Sequence, residues 1–211
     1  MNPAGTESAG SNGGPRRLVL ASASPARLRL LRDAGLDPSV IVSGVDESTV
    51  TDSDPARLVG ELAAAKARAV AADSGLAAAL VLGCDSMLEL DGEVLGKPGT
   101  AEAAIERWQL MRGRTGVLLT GHALIDTATG REAQGVRRTS VRFGMPTDAE
   151  IAAYVATGEP LGVAGGFTLD GRAAPFIDGI DGDASNVVGL SLPLLRTLLA
   201  QLDIGIIQLW R

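Results

Sequence analysis

The residues best equipped for chemistry are cations and acids at the ends of apolar runs. The stretch Leu18-Val19-Leu20-Ala21-Ser22-Ala23-Ser24-Pro25-Ala26-Arg27 carries an apolar strand into a helix start, with Ser24, Pro25 and Arg27 in the first turn. Ser24 is a preferred N-cap, and Pro25 suits the first helical position, where its missing N–H would have had no partner. Such a helix start offers unpaired backbone N–H groups and a partial positive charge, beside which Arg27 sets a planar donor fork. The chemistry would be anion binding, and a phosphate cradle is the expectation. Taken alone, an ordinary capped helix with a solvated arginine is the better account of the same residues.

The acids follow a similar placement. Ser39 to Ser43 predicts a strand that delivers Gly44-Val45-Asp46-Glu47 to a loop, so that Asp46 and Glu47 stand at a strand exit. Ala79 to Gly83 predicts a buried strand running into Cys84-Asp85-Ser86. Ligands of open α/β sheets bind outside the carboxyl ends of strands, which makes Asp85 a better candidate than an acid on a helix surface. Beyond it, Asp91-Gly92 is a two-residue hairpin signal between Met87–Leu90 and Glu93–Leu95. A register pairing Leu90 with Glu93 extends to Ser86 opposite Lys97, with Asp85 one step away. Pro98 confines Lys97 to extended backbone and helps to fix its direction. Lys66 falls on a long Ala-rich helix opened by Asp54-Pro55, running to about Asp73 and ended at Gly75, whose inner face would carry Leu58, Leu62, Ala65 and Ala69. Lys66 would border the cleft, although by position alone a solvated helix lysine fits better.

These elements call for a mixed α/β domain. A chain of 211 residues with 45% hydrophobic residues is enough for a proper core. The net charge of -6 argues against a broad nucleic-acid surface, so that an anionic ligand must be held by a local cation cluster. The single cysteine, Cys84, excludes an internal disulfide, and the single histidine, His122, makes a Ser-His-Asp triad or a His-rich zinc site unexpected. His122 lies in an apolar run and is expected to be a structural strand residue. Residues 1–15 are rich in Gly, Ser, Asn and Pro without a signal-peptide core, and no stretch is apolar for long enough to span a bilayer. The expectation is a disordered tail over 1–15, a folded domain over 16–211, no membrane association and a cytoplasmic location.

Further along, Gly35 should close the first helix, Thr100 should cap a helix to Met111-Arg112, and Val117–Asp126 and Gln134–Phe143 should be long strands joined across Thr127–Gly130. Thr147-Asp148-Ala149-Glu150 is a capping-box pattern opening a helix to about Thr157. Ala164 to Gly171 has too many glycines for a regular strand; it implies backbone passing close to some other group, a tight core crossing being the plainer account. Pro175 to Asp183 alternates apolar and acidic residues before turns and lacks the twelfth-position glutamate of a calcium loop. Ser191 to Leu202 predicts a last helix, and Ile204 to Trp210 a terminal strand.

Taken in order, Ser24-Pro25-Ala26-Arg27, Asp46-Glu47, Lys66-Ala67, Gly83-Cys84-Asp85 and Gly96-Lys97-Pro98 resemble the Maf family, the septum-formation-inhibitor-like nucleoside triphosphate pyrophosphatases. Tyr154 to Leu161, Ala164-Gly165 and Asn186 to Leu190 extend the resemblance, which runs from about Leu18 to Leu199. It implies a two-lobed mixed-sheet Maf/ITPase-like fold with a central cleft, and hydrolysis of a nucleoside triphosphate to monophosphate and pyrophosphate with Mg²⁺ or Mn²⁺. It also implies that many members are homodimers. Carried over by position, Ser24, Arg27, Lys66 and Lys97 match phosphate-binding residues. Glu47 and Asp85 match the acids that hold metal or activate water. Fixed cations and Mg²⁺ are what a transition state with charge building on the leaving pyrophosphate needs.

Ala26, Ser86 and Asp170 depart from residues common in relatives, at positions that bear on the base, so pyrimidine-type and 7-methylguanine-type preferences both stay open. The rival reading is a nucleotide-binding regulator of division or septation with little catalysis. Retention of Glu47 and Asp85 beside Lys66 and Lys97 favours the enzyme, because a binder needs the cations but no water-activating acid. A P-loop ATPase or kinase is excluded by the absence of a Gly-x-x-x-x-Gly-Lys-Ser/Thr loop.

Overall fold

The computed structural model describes residues 16–73 and 75–211; the expected tail over 1–15 lies outside them. Strand β1 (Arg17–Leu20) enters helix α1 (Pro25–Asp33), which Ser24 caps through its side chain. The helix ends as its glycine requires: Gly35 takes φ +78°, and the Leu36 N–H donates back to the Leu31 carbonyl, closing a Schellman turn. Strand β2 (Ser39–Val40) is shorter than the expected Ser39–Ser43, because the chain leaves β1 after the Ile41 N–H donates to the Leu20 carbonyl.

Helix α2 (Pro55–Ala71) is capped by Asp54, as its sequence signals. Its buried face is rotated from the expected one: Leu62 is inside as expected, but with Val59, Ala63, Ala67 and Val70, whereas Ala69 is exposed and Leu58 and Ala65 are half-buried. Close packing explains the rotation. A Cβ at Gly83 would overlap the Ala63 carbonyl and crowd the Ala67 backbone, and one at Gly121 would overlap the Val59 carbonyl, so the sheet is smooth where α2 lies on it. That rotation turns Lys66 inward.

Strand β3 (Ala79–Leu90) is one continuous strand rather than the two short ones expected, and it turns at Asp91-Gly92 into β4 (Glu93–Leu95). Leu90 faces Glu93 as predicted, but the ladder stops at Leu88 opposite Leu95, so Ser86 and Lys97 are not paired. Helix α3 (Ala101–Met111), strands β5 (Thr115–Asp126) and β6 (Arg131–Phe143), and helix α4 (Asp148–Ala156) follow, α4 with the full Thr147/Glu150 capping box. Pro175–Asp183, where the sequence predicts no regular element, supplies strand β7 (Ile177–Asp181), added to β6. Helix α5 (Ala184–Val188), capped by Asp183, was not foreseen, whereas α6 (Leu192–Gln201) was. The expected terminal strand is a single 3₁₀ turn, Ile206–Leu209, with one bridge from Trp210 to Leu36.

Among the described residues these strands form a seven-stranded mixed sheet in the order β2-β1-β3-β5-β6-β7, with β4 also on β3. β1 is parallel to β2 and β3, and the remaining pairs are antiparallel. Separate apolar clusters build the lobes. Leu20, Leu31, Leu82 and Leu198 pack between sheet, α1 and α6; Trp108, Phe143, Tyr154 and Phe167 fill the far end. The cleft follows from strand lengths. β1 accompanies β3 only as far as Leu82, and β4 joins that edge only at Leu88, so among the described residues no strand covers it from Gly83 to Met87. The opposite edge is paired with β5 throughout, Asp85 to Gly121 and Ser86 to Thr120.

Candidate active site

The gap in β3 opens into a cleft of about 480 Å³, within the ~300–1,000 Å³ usual for small-molecule sites. Its walls include Ser24, Arg27, Glu47, Lys66, Asp85, Ser86, Lys97 and Asp170, so all the site residues expected from sequence meet in one place. Phe167, Val163, Leu118 and Val187 give the cleft an apolar portion.

Asp85 and Ser86 are neighbours on β3 and their side chains leave it on opposite faces. On the Asp85 face stands Lys66, carried there by the tight seat of α2 on Gly83. Its ammonium donates to Asp85 Oδ1 at 2.6 Å and lies 2.6 Å from Glu47 Oε1. Glu47 begins a 3₁₀ turn, Glu47–Thr49. Asp46 caps that turn instead of lining the cleft: its Oδ1 accepts from the Ser48 N–H and hydroxyl. Burial pushes the Asp85 carboxyl up, Lys66 and Arg27 offsetting only part of that effect. Burial works in the same direction at Glu47, but there the hydrogen bond and charge of Lys66, with Lys97 and Arg27 behind it, prevail and hold the carboxyl below its usual value. The two acids are therefore driven apart in acidity by their surroundings.

On the Ser86 face the groups are tied to one another. Arg27 Nε donates to the Gly189 carbonyl at 2.7 Å, Nη1 to the Cys84 carbonyl at 2.9 Å and to Ser22 Oγ at 3.1 Å, and Nη2 to Ser86 Oγ at 3.0 Å. Arg27 thus caps the uncovered edge of β3 at Cys84 and, of its five N–H groups, has one left for an anion. Thr120 Oγ1 lies 2.9 Å from Ser86 Oγ and donates to the Asn186 carbonyl, so the Ser86 proton points to Thr120. Behind this floor His122 is fully buried. Its Nε2 accepts from the Ser191 N–H at 2.8 Å, leaving Nδ1 to donate to the Thr120 carbonyl. Burial first, then the Arg27 charge, lowers it to about 4, so it is a neutral structural group as expected. Cys84 is equally inert, with burial pushing its thiol up to about 11.

Ser24 Oγ is occupied as a cap, accepting from the Arg27 N–H at 3.4 Å. Lys97 is exposed on the rim and makes no ion pair among the described residues. Asp170 is held by an ion pair with Arg29 of α1, which links the two sides of the cleft. The glycine-rich segment crosses the core tightly, since a Cβ at Gly165 would press on Leu88 and Trp108 Nε1 donates to the Gly166 carbonyl at 2.9 Å, and it also lines the cleft through Ala164, Phe167, Thr168 and Asp170. Arg29 and Thr120 were not singled out from sequence, and Asn186 was named only as part of the family resemblance. Thr120 and Asn186 come from segments far apart in the chain, and Arg29 looks like any exposed helix arginine.

Among the described residues no three His, Cys, Asp or Glu side chains gather as a metal cage. Glu47 and Asp85 nevertheless aim oxygens at one point, and Mg²⁺ is commonly held by one or two carboxylates together with substrate phosphates. The donor set fits an ion shared with a phosphate ligand.

The sequence profile described as Maf-like protein matches residues 17–202. A Streptomyces coelicolor protein named nucleoside triphosphate pyrophosphatase is 66% identical over 92% of this chain and 95% of its own length. A Streptomyces avermitilis protein of the same name is 64% identical over the same shares, and one from Thermosynechococcus vestitus is 57% identical over 87% of this chain and 92% of its own.

Proposed function

Because this chain belongs to the Maf family, we infer that it hydrolyses nucleoside triphosphates to the monophosphate and pyrophosphate. The observation that carries the reading into the structure is the pair of acids meeting at the buried Lys66 in a cleft that also holds Ser24, Arg27 and Lys97. In the proposed mechanism Lys97, the remaining Arg27 N–H and the start of α1 bind the phosphates, and Lys66 joins them when the triphosphate competes for its charge. Asp85 accepts the proton of the attacking water: in the free protein Lys66 contacts Oδ1, which leaves Oδ2 for the water, and burial raises the basicity of the carboxylate. Water attacks the α-phosphorus, the bond to the bridging oxygen breaks, and pyrophosphate leaves with the extra negative charge. Mg²⁺ or Mn²⁺ held by Glu47, Asp85 and the phosphates would neutralise part of that charge. Ser86 and Asp170 stand toward the base.

Removal of non-standard or excess nucleotides is the proposed role. A division regulator without catalysis would have no use for the acid pair. A cytoplasmic homodimer completes the proposal, and light scattering reads the oligomer. The test is pyrophosphate release across canonical, methylated and deaminated triphosphates with Mg²⁺, with Mn²⁺ and with EDTA. We expect release from at least some of the panel, abolished by chelator. Absence of release from every triphosphate would sink the reading.

A further inference from the structure

Lys66 bears on the form in which the substrate enters. Its Nζ lies 2.6 Å from an oxygen of each acid, which is the place between Glu47 and Asp85 that a shared divalent ion would occupy. The Lys66 and Asp85 side chains are 10% and 9% exposed, so the charges are poorly screened, whereas Glu47 is 47% exposed and opens to the cleft.

We propose that Lys66 is a placeholder cation: it holds the two carboxylates converged until substrate arrives, keeps free metal out, and yields only to a metal–triphosphate complex. The inference rests on the metal requirement proposed above. Two carboxylates and one ammonium leave a net charge of −1 at this point. A divalent ion arriving while the ammonium stays would sit against a like charge in a nearly buried site. Exchange of the ammonium for the ion leaves the carboxylates matched, but the ammonium then needs a new anion, and a triphosphate is the ligand that brings one.

The surroundings make Lys66 the cation able to move. Arg27 is held by four hydrogen bonds to the floor. Helix α2 cannot shift, because Ala63 and Ala67 are seated on Gly83. The four-carbon stem of Lys66 can swing while its helix stays in place. Metal and nucleotide would accordingly enter together, and the ion would have little affinity for the protein alone.

The experiment titrates Mn²⁺ alone into the full chain without nucleotide, following the electron paramagnetic resonance signal of the free ion. Wild type and Lys66→Arg should leave the ion free. Lys66→Met and Lys66→Gln should bind it about tenfold more tightly or better, since the repelling charge is gone and the carboxylates remain. Adding Asp85→Asn to Lys66→Gln should cancel the gain. Lys66→Gln keeps a donor for the acids and serves if melting curves show Lys66→Met unfolded. Equal Mn²⁺ binding by wild type and Lys66→Gln overturns the placeholder. Pyrophosphate release with and without EDTA, run on the same wild-type sample, separates the two ideas. Release unimpaired by chelator removes the metal reading itself. Metal-dependent release from a wild type that already binds Mn²⁺ without nucleotide removes only the role of Lys66.

Discussion

Asp85 and Ser86 are consecutive on β3, and the two faces they serve handle charge in opposite ways. On the Ser86 face, Arg27 is bonded to Gly189, Cys84, Ser22 and Ser86, and the chain of donors continues through Thr120 to Asn186. On the Asp85 face, Lys66 is shared between two acids, and Lys97 stands without an ion-pair partner among the described residues. On the first face the guanidinium and hydroxyls are mostly bonded to fixed protein groups, whereas on the second one ammonium serves two carboxylates. A buried polar network that is complete orients its members; one made of exchangeable charges can hand them to a substrate. The difference separates residues that shape the cleft from residues that act in it, although both kinds line it.

The largest expected effects test that separation directly. Asp85→Asn should cost roughly 10² to 10⁴ in the rate of pyrophosphate release, the usual loss of a general base. Its melting temperature should stay near wild type, because Glu47 still neutralises Lys66. Arg27→Gln should do the reverse in stability, lowering the free energy of unfolding by about 2 to 4 kcal/mol as the Gly189 and Cys84 carbonyls lose their donors. Urea unfolding and single-turnover hydrolysis on both variants provide the comparison. An Arg27→Gln protein as stable as wild type would mean that the floor is not held by this guanidinium.

The two faces were unequally legible in the sequence, for a physical reason. Local signals are strong where a few adjacent residues determine the outcome. The Ser24 cap and Gly35 stop, the Thr147 capping box and the Asp91-Gly92 turn are all present as read. The face of α2 is as read at Leu62 but not at Leu58, Ala65 and Ala69, because close packing against Gly83 and Gly121 selects Val59, Ala63 and Ala67 one step round. β7 was missed because Asp178 and Asp181 alternate with isoleucines on an edge strand, where acids can face solvent. For the site, Glu47, Lys66 and Asp85 stand out by their places at strand exits and on a helix, and family resemblance gives them roles, but no spacing reveals that one ammonium bridges both acids. Nor could it show that Arg27, expected as a phosphate ligand, has most of its donors engaged by the floor.

The floor also makes a pH prediction of intermediate size. His122 is buried neutral and lowered from 6.5 to about 4, a difference worth about 3 kcal/mol at ~1.4 kcal/mol per pKa unit. Between those values the unfolded chain binds the proton and the folded chain does not, so stability falls as pH drops from about 6.5 toward 4 and this contribution levels off below. His122→Gln can both accept from Ser191 and donate to Thr120 without titrating. Denaturant unfolding at several pH values should therefore show a shallower acid slope in the variant. An unchanged slope would place the acid sensitivity elsewhere.

The smallest effect concerns Asp170, where the two behaviours meet. Its carboxylate lines the cleft, yet Oδ2 is engaged by Arg29, which makes it partly a tied group and partly a free one. Ionised, it can only accept hydrogen bonds, and the pair with Arg29 leaves Oδ1 for a donor on the bound nucleotide. Asp170→Gln adds a donating amide at the same place, so triphosphates whose bases present acceptors should gain relative to those presenting donors. The side chain is 32% exposed, so water competes for these bonds and the reordering should amount to about 1 kcal/mol, roughly fivefold in relative kcat/KM. Arg29→Ala should change the order less, because an exposed ion pair is worth only about 0 to 1 kcal/mol and its loss leaves the carboxylate an acceptor. Lys97→Ala, acting on the phosphates common to every substrate, should slow the whole panel by one factor. The same panel of triphosphates measured on all three variants decides the matter. If Asp170→Gln scales all substrates alike, Asp170 belongs with the tied residues of the floor; if Lys97→Ala reorders them, the charged wall is reading the base as well as the phosphates.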